Sequence, residues 1–472
     1  MKPLTRRRFV EIAGASLASA MLSADRKLAW SAQVPGDRPP RDPTVRVVNP
    51  RNRVPVSLII DDSTCLVNLA HFAMPQFAEV WPQREEYQKP WRQFPREIPD
   101  SFVRRFMDWC EEHGVKGKYS VVPYPACVGW LDRDLPGWSH QELVESLRLV
   151  RERVMPRWDI HPEMVSHTWV INTKTGRPYE ERSARFMENW GWSEGRSVDE
   201  LTDYLAYALR ILKNVDLRCE GITTPGGFGS RARPQLAQAT LQACRDVFQT
   251  EIPHYFRDLF TNDESVAPRV EYASGLDGND PKCVVSIIGC TGDWFGGWDG
   301  TTEGSADLFI SPDLAKGRMV DVIGRGEPAI MVCHWPGIYF NGQERGFEIL
   351  KNVVQRLHAR FENLIWMNLA EIARYWAARE LTRIERKDLS VVFRAPFASP
   401  AFTIQLSSRE RGVPLIRPPQ GGPQRLRRVG RLLDLEPGTY CEEPATNTNE
   451  SDARMTICFD LPKGESELLW AG

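Results

Sequence analysis

Four things are missing from this chain, and each removes a class of function. The first is charge bias: 60 Lys and Arg against 62 Asp and Glu leave -2 over 472 residues. That is too little to hold nucleic acid or an anionic membrane surface by charge. The second is close cysteine spacing. Ten cysteines are present, but the nearest pair is Cys283 and Cys290 and no Cys-x-x-Cys occurs, so a cysteine-held metal centre has no sequence basis. Third, no Gly-x-Gly-x-x-Gly follows the first strand-like run, which argues against a dinucleotide fold. Fourth, no segment repeats another.

What is present begins at the N-terminus. Thr5-Arg6-Arg7-Arg8-Phe9-Val10 precedes the small, apolar stretch from Ile12 to Leu22. A basic start, a short apolar run and small-residue cleavage sites after Ala20 or Ala24 form an export signal too short to span a membrane. The Thr-Arg-Arg-x-Phe core resembles a twin-arginine signal, which implies the twin-arginine export machinery as a partner and a bacterial periplasmic or secreted protein with no stable membrane span once mature. A protein folded before export does not depend on disulfides, and Cys441–Cys458 is the one pairing to test. Residues 1–32 are thus the expected signal, and the Pro-rich, charged residues 33–48 a linker.

From 49 to 384, strand-like and helix-like segments alternate. Apolar runs occur at Val56–Ile60, Gly117–Val122, Met164–Val170, Gly221–Thr224, Val284–Ile288, Ala329–Cys333 and Leu364–Met367. Between them, Asp100 or Ser101 can cap Phe102–His113, and Ser139 precedes Leu143–Val154. Ser197-Val198-Asp199-Glu200 forms a capping box before Leu201–Lys213. The alternation predicts a parallel sheet with outer helices, either a (β/α) barrel or a doubly wound sheet. Residues 385–472 hold short strand-like runs split by turn-rich stretches such as Pro418-Pro419-Gln420-Gly421-Gly422-Pro423, which predict a small all-β domain.

Chemistry gathers at the ends of three apolar runs: Ser57-Leu58-Ile59-Ile60-Asp61-Asp62, Glu163-Met164-Val165-Ser166-His167 and Ala329-Ile330-Met331-Val332-Cys333-His334. Strand ends are where parallel α/β folds place their sites. Carboxylate, His and His at three such ends can together bind a divalent metal and activate water.

The order of these segments resembles the polysaccharide deacetylase family, the NodB-homology or carbohydrate esterase 4 barrel, over residues 50–380. The resemblance implies a (β/α)7-8 barrel and leaves the C-terminal β domain unexplained. It also implies a divalent metal, zinc in the first instance, and a carbohydrate substrate losing an acyl group. By resemblance Asp61 is the base, Asp62 a metal ligand, and His167-Thr168 the start of the His-Ser/Thr-x-x-His motif. Thr224-Pro225-Gly226-Gly227 loosely matches a third motif, and His334 is the late His that protonates the leaving amine. The second histidine of the pair falls on Ile171, with Asn172 after it, and Thr223-Thr224 stand where the third motif has its Arg. The third metal ligand is therefore expected from His161 or His71.

Sixteen tryptophans add a clue. Trp169, Trp294, Trp298 and Trp335 lie in segments expected to follow strands, where flat rings suit the apolar faces of sugars. Two alternatives stand beside the deacetylase reading. One is a carbohydrate-binding barrel that has lost its metal. The other is a (β/α)8 glycoside hydrolase using two loop carboxylates among Glu220, Asp293 and Glu303.

Overall fold

The computed structural model describes residues 36–387, 390–407, 412–443 and 454–471; the expected export signal and the first three linker residues lie outside them. The elements used below run in chain order as β1 (Arg46–Val47), β2 (Val54–Asp61), α1 (Leu69–Val80), α2 (Asp100–Glu112), β3 (Gly117–Ser120), α3 (His140–Leu149), β4 (Asp159–His161), α4 (Val198–Asn214), β5 (Gly221–Thr223), α5 (Arg233–Phe248), β6 (His254–Leu259), β7 (Arg269–Ser274), β8 (Lys282–Gly289), β9 (Ala329–His334), α6 (Arg345–Arg360), β10 (Leu364–Trp366) and α7 (Leu369–Leu381). The C-terminal strands are β11 (Arg383–Lys387), β12 (Ser390–Ala395), β13 (Ser399–Ser407), β14 (Val413–Arg417), β15 (Gln424–Arg425), β16 (Arg427–Arg428), β17 (Thr439–Glu443), β18 (Arg454–Leu461) and β19 (Gly464–Ala471).

The first unit is mixed α/β. β2 is buried along its whole length, as an all-apolar run in a parallel sheet should be. It pairs in parallel with β9 on one side and with β3 and the short β10 on the other, and β3 carries β4. A second sheet runs β5-β6-β8-β7, parallel except for the β8–β7 pair. The sheets meet along two sparse seams. One is a parallel bridge from Glu163 to Thr223 beside β4 and β5, with Thr223 N–H bonded to Pro162 O at 3.0 Å. At the other, Cys290 N–H donates to Ile330 O at 2.8 Å. Ile59, Phe256, Val285, Ile287, Ile330 and Val332 form one apolar cluster that draws on both sheets, and Leu369, Ile372 and Trp376 of α7 belong to it.

Helix starts follow their caps. Ser139 with Glu142 and Ser197 with Glu200 form the capping boxes that open α3 and α4, and Asn368 with Glu371 does the same for α7. At α2 the N-cap is Pro99, and the anticipated caps Asp100 and Ser101 are its first helical residues. The chain after α3 winds as a π turn over Val150–Val154.

Two sequence expectations about strands need correction. Met164–Val170 is a loop, and the strand there is the earlier Asp159–His161. β6 and β7 carry alternating charged residues (Arg257, Asp258, Arg269, Glu271) that hide a strand from any search for apolar runs.

The C-terminal strands form two five-stranded sheets, ordered β11-β12-β19-β14-β15 and β1-β13-β18-β17-β16. Phe393 from one and Phe402, Ile457 and Phe459 from the other join a single apolar cluster. Each buried aromatic ring there stabilises by about 1.5–3 kcal/mol. Residues of the expected linker are part of this packing, since β1 pairs with β13 and Val45 and Val47 enter the cluster. Cys441 and Cys458 are free thiols; each faces a threonine across the β17–β18 pair. Among the described residues no helix is long and apolar enough to cross a membrane.

Candidate active site

The parallel register of β2 and β9 sets Asp61 directly beside His334, 273 positions later in the chain and at the same level of the sheet. Asp61 closes its strand and shares the interior with Lys118 of β3, whose ammonium is wholly buried. A buried ammonium must place all three of its N–H donors. Lys118 does so on Asp61 Oδ1, on Ile60 O at 3.0 Å and on Ser120 Oγ at 2.7 Å. Burial, helped by the Glu163 charge and opposed by Lys118, raises the Asp61 carboxyl to about 6.

Asp62 leaves the strand. Its φ of 58° is left-handed, a conformation that Asp tolerates better than most residues, and it turns its carboxylate away from the path a regular strand would give. There it meets the loop between β4 and α4. Met164 and His167 in that loop are also left-handed, at 55° and 67°. Residues in that region cost about 1–2 kcal/mol each, so something must hold them. Glu188 does. Wholly buried, it accepts the N–H groups of Val165 (3.2 Å), Ser166 (2.9 Å) and His167 (2.5 Å), and the Tyr204 hydroxyl. Burial lifts Glu188 to about 7 in spite of those donors.

The loop so held presents Glu163 and His167 to Asp62. His167 Nε2 lies 2.7 Å from Asp62 Oδ1 and 3.5 Å from Glu163 Oε1, and Asp62 N–H donates to Glu163 Oε2 at 2.8 Å. One ligand atom from each of the three lies within 4.8 Å of the others. A divalent cation suits this set on two counts. Asp62 Oδ1 is buried without a well-aligned hydrogen bond, and His167 turns Nε2 toward both carboxylates. Two buried carboxylates also need positive charge nearby. Without a cation, His167 supplies that charge: burial opposes its protonation, but Asp62 and Glu163 hold its pKa well above the ordinary imidazole range. Burial likewise works against the Glu163 charge, yet His167 and Lys118 pull its pKa down to about 2.

His334 sits a quarter exposed, with Asp293 Oδ2 2.8 Å from its Nδ1. Burial lowers its affinity for a proton, but Asp293, Asp62 and Asp61 outweigh that and raise its pKa to about 10. Asp61 and His334, side by side, thus differ in readiness to hold a proton.

The structure brings together Asp61, Asp62, His167 and His334 of the residues singled out from sequence. It leaves out both candidates for the third ligand. His161 is wholly buried on β4 and turns its Nε2 to His254 at 3.0 Å. His71 donates Nδ1–H to Phe94 O at 2.8 Å and packs against Phe72 and Trp91. The third member is Glu163. It stands four residues before His167, whereas the family motif has its partner four residues after, where this chain has Ile171, buried in the core. Glu163, Lys118, Glu188 and the Asp293–His334 pair were not read from sequence; the Glu-x-x-x-His spacing was the one available signal.

The four tryptophans separate. Trp335 is 1% exposed, packed among Phe102, Phe106 and Tyr119, and is core rather than cleft wall. Trp169 is buried beneath the Arg182 guanidinium, and Trp294 packs edge-on to Phe309. Trp298 packs edge-on against Phe77 (5.6 Å), which separates it from His167, 6.5 Å from Phe77. From Phe77 the rings continue through Trp81 to Trp190, which is 38% exposed, with Arg84 over both indoles. Of the loop acids, Glu303 and Glu220 form surface pairs with Arg345 and Arg218, and Asp293 alone touches the site.

No protein-family model matches the chain, and no curated protein matches it. Among solved structures, an alpha-L-fucosidase is similar at 10% identity, covering 90% of this chain and 97% of that one, with a TM-score of 0.31. The catalytic domain of GH30 xylanase C from Talaromyces cellulolyticus is similar at 7% identity, covering 91% and 100%, with a TM-score of 0.24. Likenesses this slight carry no argument about fold or chemistry.

Proposed function

We propose that this chain is a metal-dependent hydrolase of the polysaccharide deacetylase type, removing an acyl group from an amide or ester on an exported or extracellular carbohydrate. The reading takes the two parallel sheets as one barrel closed at its two sparse seams. It rests on one observation above all: Asp61 and His334 flank each other on adjacent strands while Asp62, Glu163 and His167 converge beside them.

Asp62, Glu163 and His167 would hold the cation, which when bound polarises an acyl oxygen and acidifies water. Their two oxygens and one nitrogen suit zinc or another borderline divalent ion. Asp61, ionised above about pH 6 and steadied by Lys118, accepts a proton from the attacking water. His334, kept charged by Asp293, gives a proton to the departing nitrogen or oxygen. Phe77 and Trp81 are buried, which leaves the partly exposed Trp298 and Trp190 as the rings of this group that could meet a sugar face. The twin-arginine signal read at the N-terminus belongs to the same proposal and would put the enzyme where such polymers occur.

A carbohydrate-binding barrel without metal is favoured by one fact, the close approach of His167 to Asp62, which balances charge with no cation. Metal analysis and release of acetate from acetylated oligosaccharides separate the two. The hydrolase reading expects stoichiometric metal and chelator-sensitive release. Purified protein that holds no metal at this site and releases no acyl group, even with added zinc or manganese, overturns it.

A further inference from the structure

A second group of ligating side chains lies within the strands themselves, on β4 and β6, with His161 two residues before Glu163 along the chain. Asp159 opens β4 and His161 closes it, two residues apart and therefore on one face. His254 opens β6, directly across from Gly221 at the start of β5. The two imidazoles meet over that glycine. A Cβ at 221 would stand 2.7 Å from His161 Nε2 and 2.8 Å from His254 Cδ2, so a larger residue would push the rings apart.

Their geometry is that of a coordination shell. His161 Nε2 and His254 Nε2 are 3.0 Å apart, Asp159 Oδ2 is 3.5 Å from His254 Nε2, and one ligand atom from each residue lies within 4.8 Å of the others. Tetrahedral zinc with bonds of about 2.0–2.1 Å separates its ligands by roughly 3.3 Å, between the two closer spacings. The outer contacts also suit ligands: His161 Nδ1 lies 3.2 Å from Thr223 Oγ1, and Asp159 Oδ2 accepts the Ala370 N–H. An imidazole–imidazole hydrogen bond alone would satisfy the Nε2 pair. It would give the Asp159 carboxylate, 3.5 Å from His254 Nε2, no part.

We propose that Asp159, His161 and His254 bind a zinc-class divalent cation that staples β4 to β6 across the sparse seam beside β5. Both histidines are wholly buried, and the Asp159 carboxylate, 11% exposed, provides the approach from solvent. Through Ala370 the same carboxylate ties the start of α7 to the sheet. The site stands apart from Asp62 and does not depend on the hydrolase reading.

The test is zinc content per chain after dialysis against metal-free buffer, on the full-length protein. Asp62→Asn/His167→Asn, which removes the first site, is expected to keep one equivalent, and adding His254→Asn is expected to lose it. Zinc should also raise the melting midpoint of the double variant by about 5 °C. Asp159→Asn, a near-isosteric change at the solvent-facing member, repeats the experiment should His254→Asn fail to fold, and is expected to weaken zinc binding at least tenfold. A double variant that binds no zinc overturns the proposal. So does one whose zinc survives both His254→Asn and Asp159→Asn undiminished. If the wild type holds a single ion that His254→Asn removes and Asp62→Asn/His167→Asn does not, the staple stands and the hydrolase reading falls.

Discussion

The two ligand clusters share ingredients and differ in backbone. At the carboxyl ends of the strands, Asp62 and His167 sit in left-handed conformations on segments that have left the sheet, held by Glu188 from a distant turn. In the second cluster Asp159, His161 and His254 sit on β4 and β6 themselves, and none has a positive φ. The first cluster is rich in carboxylates and borders the quarter-exposed His334; the second is rich in imidazole and closed. The difference teaches where strain is spent. A site that must present charge to a substrate bends its backbone to do so and needs a support, whereas a cross-strand clamp uses directions that regular strands already provide.

The largest effect that could break this contrast is at Asp61. Asp61→Asn should slow acyl release by about 10²–10⁴-fold with zinc content unchanged, since it removes a base and no ligand. Loss of metal along with activity would mean that Asp61 belongs to the cation instead. Next comes the alkaline limb of the pH profile. His334 must carry its proton, so activity should fall as pH rises through about 10. In Asp293→Asn the charge that raises this pKa is gone, and the limb should move down toward 6.5, the ordinary histidine value. A limb that stays in place would show that His334 is not the acid.

Two smaller effects sharpen the contrast between bent loop and regular strand. Glu188→Gln should weaken metal binding at the first cluster by about 10–100-fold, measured by competition with a chromophoric chelator, and leave the second untouched. Equal weakening at both would remove the distinction. Gly221→Ala should do the reverse. Overpacking between the two imidazoles is expected to cost about 1–3 kcal/mol in urea unfolding, with little change in acyl release per folded molecule.

Much of the α/β unit was legible because β2, β3, β5, β8, β9 and β10 carry apolar runs and because Ser139 and Ser197 announce their helices. The charged strands β6 and β7 were not, since half-buried charged groups such as Asp258, paired with Arg233 of α5, replace apolar periodicity there. Of the site, the residues at strand ends were legible and their supports were not. Lys118 lies within a strand and Glu188 in a turn, and nothing in their neighbours marks them, while Asp293 is marked only as a loop acid and not as the partner of His334. Trp335 misled for a related reason: a tryptophan directly after a strand-end histidine looks like cleft wall until the chain turns it inward.

By itself the sequence determined the strand ending in Asp61 and Asp62, the helix starts and the change to short strands after Ile384. These depend on local periodicity and capping, which neighbouring residues encode. Tertiary structure decided which groups those ends would meet. Glu163 reaches Asp62 across 101 positions and His254 reaches His161 across 93. Such meetings follow from parallel register and from single left-handed residues that redirect a side chain, and both arise only once the strands lie beside one another.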